Sequence, residues 1–205
     1  MKSKFFVLLL SLISLCTLYA DEAPQESPIA DTSTKSLDPG WWPVLQIVLW
    51  PGMPPYTDME VYGIRTGFPV SGGTGAVDGL EIAPLVSYSD YVNGLQFSPV
   101  LNRTKNTTGF RCGLVNTSTE RVRGFQLSVF NYNDADSNSL DIAALMNYTS
   151  NYIKGIQISP IANYAAKSGW QIGLYNQSKT NAFQIGLINI IEEGYIPFFP
   201  VINFW

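Results

Sequence analysis

GWQIGLYN (169–176) and AFQIGLIN (182–189) decide the fold. In each, large apolar and polar residues alternate, a small residue follows, two apolar residues come next, and Asn closes. The same unit recurs upstream as GIRTGFPV (63–70), GLEIAPLVS (79–87), GLQFSPVLN (94–102), GFRCGLVN (109–116), GFQLSVFN (124–131), SLDIAALMN (139–147) and GIQISPIAN (155–163). That makes nine copies with a period near fifteen residues, spanning residues 61–190. A unit this short cannot bury its own apolar face and must stack on its neighbours.

Strict alternation is the signature of a half-buried strand. Gly at the start and Asn at the end mark turns. No stretch of ten or more residues in the array has helical periodicity. The chain therefore reads as all-β, and two architectures fit. In a β-solenoid each copy is one coil, and equivalent residues stack about 4.8 Å apart into an Asn ladder, a column of small residues and a polar column led by Gln. In a small antiparallel outer-membrane β-barrel each copy is one strand, Tyr residues near strand ends form girdles, and the polar series lines the lumen. A membrane strand needs an apolar band near 25 Å tall. Here the apolar series, as in Trp170, Ile172 and Leu174, covers about 16 Å at roughly 3.3 Å per residue. The length favours the solenoid, with about nine coils.

The alternation also predicts which side faces in. By the usual preference for buried large hydrophobes, Trp170 and its equivalents point to the core. The polar series Arg65, Glu81, Gln96, Arg111, Gln126, Asp141, Gln157, Gln171 and Gln184 then forms an exposed binding column for a surface protein or glycan. On that assignment Trp170→Asp disrupts folding and Gln171→Asp is mild.

The flanks differ from the array. Lys2 and Lys4 precede an apolar run from Phe5 to Leu15, and Thr17-Leu18-Tyr19-Ala20 offers a cleavage site, so residues 1–20 read as a secretory signal peptide. Cys16 raises lipid attachment, but Leu15 is the wrong preceding residue, and cleavage after Ala20 is the better reading. Residues 21–40 are polar and aperiodic, a flexible linker. Residues 41–60 and 191–205 are rich in aromatics and Pro and read as end caps that close the stack and block further pairing. The expected location is outside the cytoplasm, at the cell surface, outer membrane or periplasm.

The stretch from Leu45 to Leu80, the repeated G-[LVI]-Q-[LI]-G-[LV]-[VL]-N units and the closing IPFFPVINF (196–204) together resemble a bacterial surface-repeat family first described in Leptospira. The resemblance covers about residues 45–205. It implies an exported, surface-associated protein of unknown biochemical role. The copies with Ser98-Pro99, Ala143-Ala144 and Ser159-Pro160 depart from the family unit.

Little in the chain supports chemistry. There is no His, which removes Ser-His-Asp and Cys-His nucleophiles and His-based metal sites. Removal of residues 1–20 leaves Cys112 alone and ten basic residues against sixteen acidic ones, so no basic stripe for nucleic acid remains. Cys112 occupies an apolar slot and reads as a small buried hydrophobe. Gly72-Gly73-Thr74-Gly75 lacks the Lys and helix of a phosphate loop. The carboxylates Glu81, Asp141, Asp134, Asp136, Glu192 and Glu193 read as solvated or ion-paired rather than as a glycosidase pair, and Asp134–Asn138 lacks the spacing and Gly of a calcium loop. No catalytic residue, metal or cofactor is expected, and the function reads as structural or binding.

Overall fold

The computed structural model describes residues 41–42, 44–49, 59–134 and 136–204, all within one compact unit, Leu37–Trp205. The signal peptide and linker lie outside the described residues, as do Trp50 and Trp205.

The array is a parallel β-solenoid. After β1 (Trp41–Trp42) and β2 (Leu45–Val48), β3 (Glu60–Gly67) begins a stack that runs through β4 (Val70–Gly73), β5 (Val77–Ile82), β6 (Val86–Phe97), β7 (Leu101–Cys112), β8 (Val115–Asn133), β9 (Asp136–Ile158), β10 (Ala162–Ile172), β11 (Tyr175–Thr180) and β12 (Phe183–Ile191). All these neighbours pair in parallel. The antiparallel barrel is thereby excluded, because its strands must alternate in direction. The repeat copies stack in register: Gly94 on Gly79, Leu95 on Leu80, Gln96 on Glu81. Coil length varies between 13 and 16 residues without breaking the Asn ladder. The extra Pro or Ala of the longer copies is absorbed on the outside of the corner, where Pro84, Pro99, Ala144 and Pro160 are exposed.

Each coil has two extended segments joined by that corner. Asn closes the inside of it. Asn147 Nδ2 donates to Asn163 Oδ1 at 2.9 Å and to the Ile158 carbonyl at 3.0 Å. Equivalent bonds link Asn102, Asn116, Asn131, Asn147, Asn163, Asn176 and Asn189 without a gap. The expected Asn ladder is therefore present. Its chemical logic is that one amide supplies both a donor pair and an acceptor, so a single residue type satisfies the turn carbonyls and binds the next coil.

The in–out assignment is the reverse of the sequence expectation. Trp170 is 48% exposed, whereas Gln171 has no exposed surface. Among the described residues, the buried apolar ones are Val, Ala and Ile. Leu, Phe, Trp and Met of the repeat face outward. The physical reason is space. Two inner faces about 10 Å apart accommodate Gln, Asn, Ser and the slender, extended Arg65 and Arg111, but not the broad ring of Trp170 stacked on Phe183. Outside, each large side chain covers part of its surface against the copies above and below. Phe110 and Phe125 stack at 5.2 Å, and Tyr132, Tyr148 and Tyr164 at 5.0 and 4.9 Å. Hydrophobic stabilisation thus runs along the outer columns and along a narrow inner column that includes Val61, Val77, Val92 and Val122, while polar ladders hold much of the remaining interior.

The two ends close differently. β2 adds a partial coil in parallel, with Leu45 on Ile64 and Gln46 on Arg65. β13 (Phe198–Phe204) instead pairs antiparallel to β12. Pro200 and a positive-φ Val201 mark the register shift opposite Gly186–Asn189.

Candidate functional site

All nine residues of the expected exposed column lie in the interior with no accessible surface. The expectation of an exposed binding column is corrected accordingly. A side chain sealed inside a stack cannot contact a protein or glycan. The register brings the nine into one file, which continues into both end segments: Gln46 lies below Arg65 and Asn203 opposite Gln184. The sequence reading missed these two, although Leu45-Gln46-Ile47 already carries the apolar–Gln–apolar spacing of the repeat.

The file is hydrogen-bonded in three runs, Gln46 to Gln96, Arg111 to Asp141 and Gln157 to Gln184; where the first two meet, Gln96 Oε1 and Arg111 Nε have no hydrogen-bond partner. Arg65 Nε donates to Gln46 Oε1 at 2.6 Å, and its other nitrogens to the Gly75 and Met59 carbonyls, both at 3.1 Å. Glu81 accepts from Ser71, Ser89 and Gln96 at 3.0, 2.7 and 3.1 Å. Ser89 joins the two charges, since Arg65 also donates to its hydroxyl at 3.4 Å. Arg111 donates to Gln126 Oε1 at 2.5 Å, and Gln126 Nε2 donates to Asp141 Oδ1 at 2.9 Å. A neutral amide thus bridges a buried cation and a buried anion two coils apart. The last coils need no charge: Gln184 donates to Gln171 at 2.8 Å and Gln171 to Gln157 at 2.9 Å.

Burial dominates the electrostatics. It pushes the Asp141 carboxyl up to about 6, against hydrogen bonds from Ser139, Gln126 and Asn133 and the charge of Arg111. It pulls Arg111 down to about 10, with Asp141 opposing. Arg65 is also lowered by burial, with Glu81 opposing. Two cations and two anions alternate along the file, so the file carries no net formal charge. An unpaired buried charge is far more costly than this arrangement.

The exposed carboxylates are elsewhere. Asp134, Asp136, Glu192 and Glu193 sit at the corner between the second segment of one coil and the first of the next. There Ser150 bonds Asp134, Asp136 accepts from the Tyr152 amide at 3.2 Å, and Glu192 accepts from Gln177 at 2.6 Å. The Lys105–Asp90 pair, 2.8 Å, lies at the same corner. Glu81 and Asp141 are buried rather than solvated, which corrects that reading and removes both from contact with any substrate. A shallow recess of about 330 Å³ near Tyr152, Lys167, Phe183 and Phe204 contains no carboxylate. Among the described residues no group of three His, Cys, Asp or Glu side chains is arranged to hold a metal, and no helix is long and apolar enough to cross a membrane.

The surface the coils do present is apolar. Between the opening Gly and the closing Asn, the outward positions of all nine coils are apolar, with Thr66 the exception. Cys112, expected to be buried, is half-exposed there between Phe97 and Leu127. The corner is the most exposed part, with Leu174 at 58% and Leu187 at 64%. The Tyr ladder flanks this surface. Its rings cover each other's faces, so they offer edges rather than the open faces on which a sugar stacks.

No family model, curated protein or solved structure matches the chain.

Proposed function

We propose that the chain is an exported, surface-associated structural or binding module without enzymatic activity, and that it binds through the uncharged outer side of its coils. The observation that carries this reading is the outward apolar series repeated in all nine coils. Monomers rarely expose contiguous apolar patches beyond a few hundred Å². Summed over the exposed Leu, Ile, Phe and Trp, this surface is on the order of 1,500 Å² or more, which places it among interaction surfaces. Export rests on the signal-like residues 1–20, and surface association on the resemblance of residues 45–205 to the Leptospira-type repeat family.

Fractionation of cells expressing the full chain tests the reading. The envelope fraction is expected to hold protein whose N-terminus is Asp21. Leu145→Glu/Leu174→Glu, on the outer corner, is expected to shift the protein into the soluble fraction. Full-length protein in the cytosol, or a variant distributed like wild type, would contradict it.

A further inference from the structure

We propose that the occupant of the apolar outer surface is the hydrocarbon of a lipid bilayer, so that the solenoid lies along a membrane with its outer corner inserted. This rests on the reading that the outer side is the binding surface, and it names the partner.

Three features select lipid. The first is charge. Every exposed charge of the array lies on the opposite corner or on the columns bordering it, as in Arg103, Lys105, Glu120 and Asp134. None interrupts the apolar positions over nine coils, and the only chemical complement of such a surface is itself uncharged. The second is shape. The apolar positions are not confined to one sheet face. They run along both extended segments and across the corner between them, where Leu85, Leu114, Leu145, Ile161, Leu174 and Leu187 form the crest. A rigid second copy laid on one flat flank leaves the crest and the other flank in water. A fluid hydrocarbon phase closes around a convex edge. The third is the border. Tyr88, Tyr132, Tyr148 and Tyr164 share one outward column with Arg103 and Thr117, between the apolar positions Phe130, Met146 and Ala162 and the charged corner. An amphipathic ring at that level matches the boundary between acyl chains and headgroups.

The surface extends over both end segments. Leu45 and Ile47 continue it below Ile64 and Thr66, and Ile202 and Phe204 above Ile185 and Phe183. At about 4.8 Å per layer the edge is roughly 50 Å long. The exposed charges of the described residues, on the opposite corner and its bordering columns, have no basic excess, so attachment does not require anionic lipid.

Cys112 provides a probe, since it lies within the apolar surface. In full-length Cys16→Ser protein it is the only thiol. Its modification by a water-soluble maleimide is measured with and without neutral phosphatidylcholine vesicles. Vesicles are expected to slow it by about tenfold or more, equally at low and high salt, because a thiol in hydrocarbon neither ionises nor meets the reagent. A reporter at the charged corner (Thr119→Cys with both native cysteines replaced by Ser) is expected to change less than about twofold. Leu145→Glu/Leu174→Glu, with its fold checked by circular dichroism, is expected to restore Cys112 reactivity in vesicles. An unchanged Cys112 rate with vesicles overturns the proposal, even if residues 1–20 tether the chain to lipid. Protection that needs no vesicles and grows with protein concentration assigns the surface to a second copy. That outcome overturns the lipid proposal but leaves the outer side as a binding surface. Protection under neither condition removes both.

Discussion

Trp170 and Gln171 are adjacent, and the solenoid puts them on opposite sides of one wall. Aspartate at each position measures the difference. Gln171 accepts from Gln184 at 2.8 Å and donates to Gln157 at 2.9 Å and to the Gln177 carbonyl at 3.2 Å. Gln171→Asp removes the two donors and leaves the Gln157 amide oxygen and a backbone carbonyl unpaired. Each unsatisfied buried group costs about 1–3 kcal/mol, and the new carboxylate has no cation in the adjoining Gln coils. The expected loss is about 5 kcal/mol or more, comparable to breaking a buried ion pair. Gln171→Leu, which adds no charge, is expected to lose about 3 kcal/mol from the same unsatisfied groups. Trp170→Asp removes a side chain already half in water, whose main contact is the Phe183 ring at 4.4 Å. That loss is about 1–2 kcal/mol. Guanidinium titrations of the three variants are the assay, with midpoints compared at constant slope. The reasoning is refuted if Trp170→Asp fails to fold while Gln171→Leu melts like wild type.

Three other perturbations address separate parts of the structure. The Asp141 carboxyl is held up at about 6 in the fold and lies near 3.8 when unfolded, so the folded state binds the extra proton between these values. Stability from this group is therefore fully present below pH 3.8 and is lost as pH rises through 6, an effect on the order of 2–3 kcal/mol. Melting temperatures across pH 4–7 should show this fall, and Asp141→Asn should lack it. Asn147→Leu removes the acceptor for Asn131 and the donors to Asn163 and to the Ile158 and Asp141 carbonyls. A loss of about 3–5 kcal/mol is expected by chemical denaturation. Gly109 has φ of +127°, and a Cβ there would sit 2.1 Å from the Gly94 carbonyl oxygen. Gly109→Ala should cost about 3 kcal/mol or more, because backbone must move; Gly169→Ala, where no such φ occurs and the nearest atom is at 2.6 Å, should cost less in the same melt.

The period, the columns and the Asn ladder were legible because each depends only on spacing. The small residues at Gly67, Ala83 and Ser98 and the closing Asn fell into place for the same reason. The side facing inward was not legible from alternation, which has two solutions. Large hydrophobes inside is the commoner one, and it gave the wrong face. A second signal was present in the column chemistry. The polar file is nearly uniform, with five Gln among nine residues and charges in opposite-sign pairs. The apolar columns range from Cys112 to Trp170 in volume. A close-packed interior limits volume strictly, so the column that tolerates the range is the outer one. The same reasoning finds Gln46 in the N-terminal segment. The partner relation of Arg111 and Asp141 was visible only as a two-copy separation. That Gln126 carries it requires the register.

The charge order along the interior sets rules for how such a chain can change length. The coils containing Gln157, Gln171 and Gln184 form a neutral homopolymer, each amide bonded to the next. One of them can be duplicated or deleted, and the ladder rejoins with the same chemistry. The coils of Arg65 and Glu81, or of Arg111, Gln126 and Asp141, behave as linked syllables. Deleting Glu81 alone strands a buried guanidinium, and deleting Gln126 alone presses Arg111 directly against Asp141. Copy-number variation in this architecture is therefore free toward the C-terminal end of the array and restricted to charge-balanced blocks toward the N-terminal end.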